Sequence, residues 1–489
     1  MINLKVNESA RRNNIQRCRE RGVIIPTFSQ MKNPDSIPET VKECLKSTAM
    51  KDVDPVNLFR ITWKNEPKET GGLFSGVNYF EFPQELAGVK ARIIALAGKW
   101  FPIGAHKVGA AFGCLVPQLV TGSFDSTRQK AVWPSTGNYC RGGAFNSALL
   151  GCSSVAILPE GMSSERFRWL KKLSGEVIAT PGSESNVKEI FDKCNELKSQ
   201  RPEVVIFNQF DEPGNYLWHY EVTGNALSEL AEELKKRNRK LNIAGFVSST
   251  GSAGTIAAGD SLKNKYPSVK VAATEAIQCP TLFENGFGSH RIEGIGDKHV
   301  PWIHNIRNTD LVTAIDDNAC MSLFRLFNEP LGREFMIREG IPADVVLKLH
   351  LAGISGIANL LSAVKMARYY ELTENDVIFT VLTDSAELYL SRLQEAKELE
   401  GEYTLREASK AFDRYLMPSE DISHIKELSY YERKRIHNLK YFTWIEQQNK
   451  SLSELNRQWY DAEYWTNIQS QAGEIDRLIE EFNEEVSCR

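Results

Sequence analysis

No apolar run in this 489-residue chain approaches membrane-spanning length, and its first residues, Met1–Asn7, lack the apolar core of a signal peptide. These absences lead to the expectation of a cytoplasmic protein without a membrane partner. The nine cysteines contain no Cys-x-x-Cys pair and no regular spacing, which argues against a disulfide frame or a zinc site. Cys114, Cys152 and Cys320 lie in apolar stretches, so reduced core thiols are expected. An excess of charge of either sign is lacking, with 59 Lys and Arg against 63 Asp and Glu. A formal net charge of −4 gives no electrostatic reason to expect nucleic acid. There is no internal repeat, and no glycine-rich loop ends in GKS or GKT, so an ATP-binding P-loop is not expected. What the composition leaves is a soluble globular protein long enough for two to three domains.

From residue 85 onward, short apolar stretches alternate with amphipathic ones. Val89–Leu96, Lys130–Trp133, Ser154–Leu158, Glu176–Thr180, Val204–Asn208, Ile243–Ser248, Val269–Thr274 and Asp376–Leu382 are expected strands. Expected helices lie between them, at Lys107–Leu119, Gly142–Leu150, Ser164–Leu173, Val187–Lys198, Ala226–Lys236 and Gly356–Tyr370, with another opening at Thr255. That alternation means parallel, mostly buried sheet with helices on both faces, and ligands bound beyond the C-terminal strand ends. Before residue 75 the chain shows a basic helical start and then a Pro- and polar-rich passage. Beyond Leu399 it turns to charged helices rich in aromatics, where Ile475, Leu478, Ile479 and Phe482 form an apolar stripe that needs a partner.

Three small-residue loops fall at strand ends. The first, Phe101–Gly109, sets Lys107 in a crowded turn after Gly104 and Ala105, with His106 beside it. The second, Ser135-Thr-Gly-Asn-Tyr139, offers hydroxyls, backbone amides and the Asn138 carboxamide at a helix start; such a loop suits a carboxylate. The third, Gly251-Ser-Ala-Gly-Thr255, lets amides and hydroxyls converge on an anion at a helix N-terminus. A fourth stretch, Thr383–Tyr389, places Ser385 at the last strand end, where it could cap a helix or point into the cleft. Taken one at a time, each loop is equally a satisfied turn. Together an amine, an anion cradle, an amide donor and a hydroxyl fit pyridoxal 5′-phosphate.

The chain resembles the cysteine synthase and cystathionine β-synthase group of pyridoxal-phosphate enzymes, which have the tryptophan-synthase-β-like fold (fold type II). Pro134-Ser-Thr-Gly-Asn138, Asn208–Asn215 with His219–Gly224, the Gly251–Thr255 loop, Ile292–Gly296 and Thr383–Leu390 carry the likeness over residues 85 to 395. The resemblance implies an α/β protein with two three-layer parallel-sheet domains. Residues 101–212 would form the domain with the Schiff-base lysine, and 76–100 with 213–398 the larger domain with the phosphate loop. Residues 1–75 would be an N-terminal extension and 399–489 a helical C-terminal extension. It implies Lys107 as the lysine bound to the cofactor and the catalytic base, and Asn138 as donor to the ring hydroxyl. Gly251, Ser252, Ala253, Gly254 and Thr255 would cradle the phosphate, with Ala253 where a glycine is usual. Gly294 would line the cofactor's open side and Ser385 would meet the ring nitrogen. Ser135, Thr136, Gly137 and Tyr139, supported by Gln209, would bind the substrate carboxylate.

The reaction so implied is β-elimination or β-replacement on a Ser- or Cys-like amino acid, through an aminoacrylate. A hydroxyl at the ring nitrogen does not hold that nitrogen protonated, which favours loss of a β-substituent over transamination. His106 is expected to pack on the phosphate side, and Arg141 either to pair with an acidic substrate or nucleophile or to form a surface ion pair. A homodimer is expected. Two alternatives stand beside this reading: the cofactor-bearing subunit of a two-component amino-keto acid thiolase, with a second subunit, and a non-catalytic binding protein of the same fold.

Overall fold

The computed structural model describes residues 1–66, 72–135, 137–182, 187–296, 298–417 and 421–488. Its β-structure is divided between two sheets. Chain order gives β1 (Tyr79–Phe82), β2 (Arg92–Ala97), β3 (Lys130–Pro134), β4 (Ser153–Pro159), β5 (Glu176–Thr180), β6 (Val204–Ile206), β7 (Asn242–Ser249), β8 (Lys270–Ala276), β9 (Leu311–Ile315), β10 (Asp376–Leu382) and β11 (Ile425–Glu427). The smaller sheet has the order β5-β4-β3-β6 and is parallel throughout. The larger runs β1-β2-β10-β7-β8-β9-β11, with parallel pairing from β2 to β9 and antiparallel edges at β1 and β11.

Strands covered on both faces must be apolar throughout. Ile93–Leu96 of β2 and Ile378, Phe379, Val381 and Leu382 of β10 are accordingly buried. The helix Ile354–Tyr369 packs on β10 and β7, and the helix Asn138–Leu149 packs on β3 and β4. The helix Asn138–Leu149 follows β3 and the helix Ile354–Tyr369 leads into β10, and the turns after β2, β3, β7 and β10 open at C-terminal strand ends.

Most expected elements appear with edges moved by one to three residues. The helix expected at Gly142–Leu150 begins earlier, at Asn138, and the one expected to open at Thr255 begins at Ala257. Three strands lay outside the expected set: β1, β9 and β11. The last changes the picture of the C-terminal stretch as helical, because Ile425–Glu427 joins the large sheet beside β9.

The apolar stripe on the helix Gln471–Ser487 finds its partner within the chain. Ile475, Leu478, Ile479 and Phe482 are buried in the main core, and the N-terminal helix Glu8–Arg21 lies against them. Arg11 stands 5.7 Å over the Phe482 ring. Seven cysteines are buried; Cys44 and Cys488 are exposed, and so are not core thiols. No single helix among the described residues is long and apolar enough to cross a membrane.

Candidate active site

Lys107 is the first residue of the helix Lys107–Thr121. The turn before it is tied to the end of β10: Ala105 bridges to Asp384, and the His106 amide donates to the Thr383 carbonyl (3.2 Å). The lysine is buried, and its Nζ donates to Ser252 Oγ (2.7 Å) and Gln209 Oε1 (3.1 Å). Gln209 Nε2 in turn donates to Ser135 Oγ (3.3 Å). The amine thus meets two of the segments singled out in the sequence directly, and a third through Gln209. They line a narrow cleft, with about 370 Å³ of space between atoms, together with Asn138, Tyr139, Gly251 and Gly294.

The loop after β7 is shaped for an anion. Among the described residues, the amides from Gly251 to Ile256 donate to no backbone or side-chain acceptor. Ala253 holds the left-handed conformation (φ 59°) that turns such amides to one side. Asn215 braces the loop from behind: its Nδ2 donates to Ser252 Oγ (3.0 Å) and to the Gln209 carbonyl (2.9 Å). A Cβ on Gly254 would fall 2.0 Å from Asn215 Oδ1, so only glycine fits there. A run of unpaired amides on a loop whose Ser252 holds a buried amine suits a phosphorylated aldehyde, and the residues present fit pyridoxal phosphate.

His106 lies on the phosphate-loop side, with Nε2 2.9 Å from Thr255 Oγ1 and its ring against His219 and Trp63. Burial, and then the Lys107 ammonium, push its pKa down to about 3, so the imidazole is neutral. Thr136 falls outside the described residues. The Tyr139 ring packs edge-on against Trp133, its phenol held protonated by burial. Arg141 is not the surface residue that one of the two expectations required. It is buried, donates to the Ile103 carbonyl (2.9 Å) and to Asn138 Oδ1 (3.3 Å), and lies 4.7 Å over the Trp169 ring. It forms no ion pair with the described residues, and burial, the largest influence on it, pulls its pKa down to about 10.

Ser385 is buried at the turn after β10, and its hydroxyl makes no hydrogen bond to the described residues. The side chain before it, Asp384, was passed over in the sequence, yet its carboxylate accepts from Asn138 Nδ2 (2.5 Å). Asn215, Phe210 and Thr383 were passed over in the same way. All four sit within motifs already singled out. Their residue types gave a signal, but the direction of each side chain did not.

A family model described as pyridoxal-phosphate dependent enzyme matches residues 100–335. A cysteine synthase of Staphylococcus aureus is 31% identical over 261 residues, covering 53% of this chain and 75% of its own. A probable cysteine synthase of Bacillus subtilis is 30% identical over 291 residues, covering 59% and 85%. Among solved structures, a cysteine synthase from Entamoeba histolytica superposes with a TM-score of 0.57 at 22% identity, over 70% of this chain and 94% of that one. That likeness is one of fold.

Proposed function

Because the chain belongs to the pyridoxal-phosphate-dependent enzymes of the cysteine synthase and cystathionine β-synthase group, with pyridoxal 5′-phosphate as its cofactor, we propose that it removes or replaces the β-substituent of a serine- or cysteine-like amino acid. The observation that carries this reading is the bond from the Lys107 amine to Ser252 in a cleft lined also by Gly251, on a loop whose amides from 251 to 256 find no acceptor among the described residues. When bound, the cofactor supplies an aldehyde that condenses with amines and a ring that draws electrons from the substrate's α-carbon.

The side chains divide the remaining work. Gly251, Ser252, Ala253, Gly254 and Thr255 hold the phosphate. Asn138 would donate to the ring hydroxyl, and the Ser385 hydroxyl, which makes no hydrogen bond to the described residues, would meet the ring nitrogen. Ser135, Thr136, Gly137 and Tyr139 take the substrate carboxylate, with Gln209 fixing Ser135. Gly294 leaves the open side of the cleft clear, since nothing stands within 4 Å of where its Cβ would lie. Lys107 would hold the cofactor's aldehyde, and its Nζ, when free, would take the proton from the substrate's α-carbon. Neutral His106 stays on the phosphate side and supplies no proton. A hydroxyl rather than a carboxylate at the ring nitrogen favours departure of the β-substituent.

The same reading divides the chain into units of 101–212 and of 76–100 with 213–398, flanked by 1–75 and 399–489. It also makes the protein a cytoplasmic homodimer, in keeping with nine free cysteines and the exposed aromatics Tyr430, Tyr431, Phe442 and Tyr460. The test of the chemistry uses the holoenzyme alone with cysteine, serine and O-acetylserine. Pyruvate, sulfide or a new thioether is expected from at least one of them. Absence of any product and of any change in the cofactor's absorbance with all three contradicts the reading.

A further inference from the structure

A chain of buried polar contacts leads from Asn138 to the far side of the cleft. Asp384 Oδ2 accepts from Asn138 Nδ2 (2.5 Å) and from the Tyr389 hydroxyl (2.6 Å). Arg166 Nη2 donates to the Tyr389 oxygen (3.0 Å), while Nη1 of the same guanidinium pairs with Glu293, the residue before Gly294. Arg392 closes the chain on Glu293 (2.6 Å). On the opposite side, Arg141 Nη1 donates to Asn138 Oδ1. Asp384 and Arg166 are each only 1% exposed. A charged network withdrawn this far from water fixes geometry in a way that solvated groups do not.

The two neighbours of Asn138 have opposite hydrogen-bonding characters. An ionised carboxylate accepts only, and a guanidinium donates only. Between Asp384 and Arg141 the carboxamide therefore has one orientation, with Nδ2 towards Asp384 and Oδ1 towards Arg141. One Nδ2 hydrogen is used by Asp384. The other is left for the cleft that Asn138 lines. Asp384 is itself held in place: a Cβ on Gly353 would fall 2.0 Å from its Oδ1, so that side of the carboxylate abuts bare backbone.

We propose that Asp384 is a positioning residue for the cofactor: it fixes the flip state of the Asn138 carboxamide, so that an Nδ2–H faces the ring hydroxyl of pyridoxal phosphate. The inference rests on the assignment of Asn138 to that hydroxyl. Ser385, one residue on, keeps its free hydroxyl for the ring nitrogen, so adjacent residues serve different atoms of the ring. Burial raises the Asp384 pKa, while the Tyr389 hydroxyl, the Arg166 guanidinium and the Asn138 amide oppose it.

A double-mutant cycle on the holoenzyme tests this, reading the dissociation constant of pyridoxal phosphate and the position of its bound absorbance band. D384A is expected to weaken cofactor binding about tenfold and shift the band, the loss of roughly one charge-assisted hydrogen bond. In an N138A background, D384A is expected to change neither. Additive effects of the two substitutions, or a D384A protein with the wild-type band and affinity, overturn the proposal. If D384A does not fold, D384N carries the same test. Its neutral amide accepts more weakly, so a few-fold loss is expected with Asn138 present and none in N138A. No dependence of the D384N effect on Asn138 overturns the proposal. An N138A protein that keeps the wild-type band and affinity refutes the Asn138 assignment instead, whatever Asp384 does.

Discussion

Glu275, the penultimate residue of β8, is 2% exposed, and its carboxylate accepts the amides of Leu282 (2.9 Å) and Phe283 (2.8 Å). Burial outweighs those two bonds and pushes its pKa up to about 8. The native state therefore holds a proton that the unfolded chain, titrating near the ordinary glutamate value of 4.5, has already lost. Stability contributed by this group must fall as pH rises from about 4.5 to about 8, by at most about 1.4 kcal/mol per pH unit. Glu275→Gln cannot ionise. Denaturant melts across that range should show the variant gaining on wild type as pH rises; a constant difference between the two contradicts this account. Residue types were legible in the sequence at this scale, and orientations were not. Ser385 and Asp384 are neighbours at the end of β10, and nothing in Thr383-Asp-Ser-Ala386 says which one turns to Asn138. Arg141 was readable as a cation but not as a buried one, because its cover, Trp169, comes from a different helix.

The helix that starts at Lys107 is placed by close approach to the helix Pro213–Trp218. A Cβ on Gly113 would fall 2.3 Å from the Gly214 carbonyl oxygen, so the two backbones touch. Gly214 precedes Asn215, which braces the phosphate loop through Ser252. Gly113→Ala should force these helices apart at a cost of about 1–3 kcal/mol. Because the displaced helices carry both Lys107 and Asn215, cofactor retention on dialysis should fall together with the denaturation midpoint. A variant that loses neither contradicts the packing argument. Long apolar or amphipathic elements were legible: the ranges Ser164–Leu173, Glu176–Thr180 and Asp376–Leu382 were read as they stand. The edge strand β11 was not. β11 has three residues and no apolar run, and only its pairing with β9 makes it a strand.

At the scale of the whole molecule, the two ends of the chain form a layer over the lysine-bearing helix. Arg11 Nε donates to the Val120 carbonyl (3.0 Å), Asn14 Nδ2 donates to the Leu119 and Phe124 carbonyls (2.8 and 2.7 Å), and Phe482 is fully buried beneath Arg11. Further along, Lys450 pairs with Asp211 (2.7 Å), two residues from the Gln209 that holds Lys107. The chain's ends thus share the core of the catalytic part. The sequence showed that residues 1–75 and 399–489 differ from the family pattern. It did not show that they pack on one another, since that needs contacts over more than 450 positions. All of this structure converges on one amine. The most direct test is to treat the pyridoxal-phosphate-loaded protein with borohydride and map the modified peptide by mass spectrometry. The account predicts a stable cofactor adduct on Lys107, and a Lys107→Ala protein with no visible absorbance band. An adduct on another lysine, or a coloured Lys107→Ala protein, contradicts it.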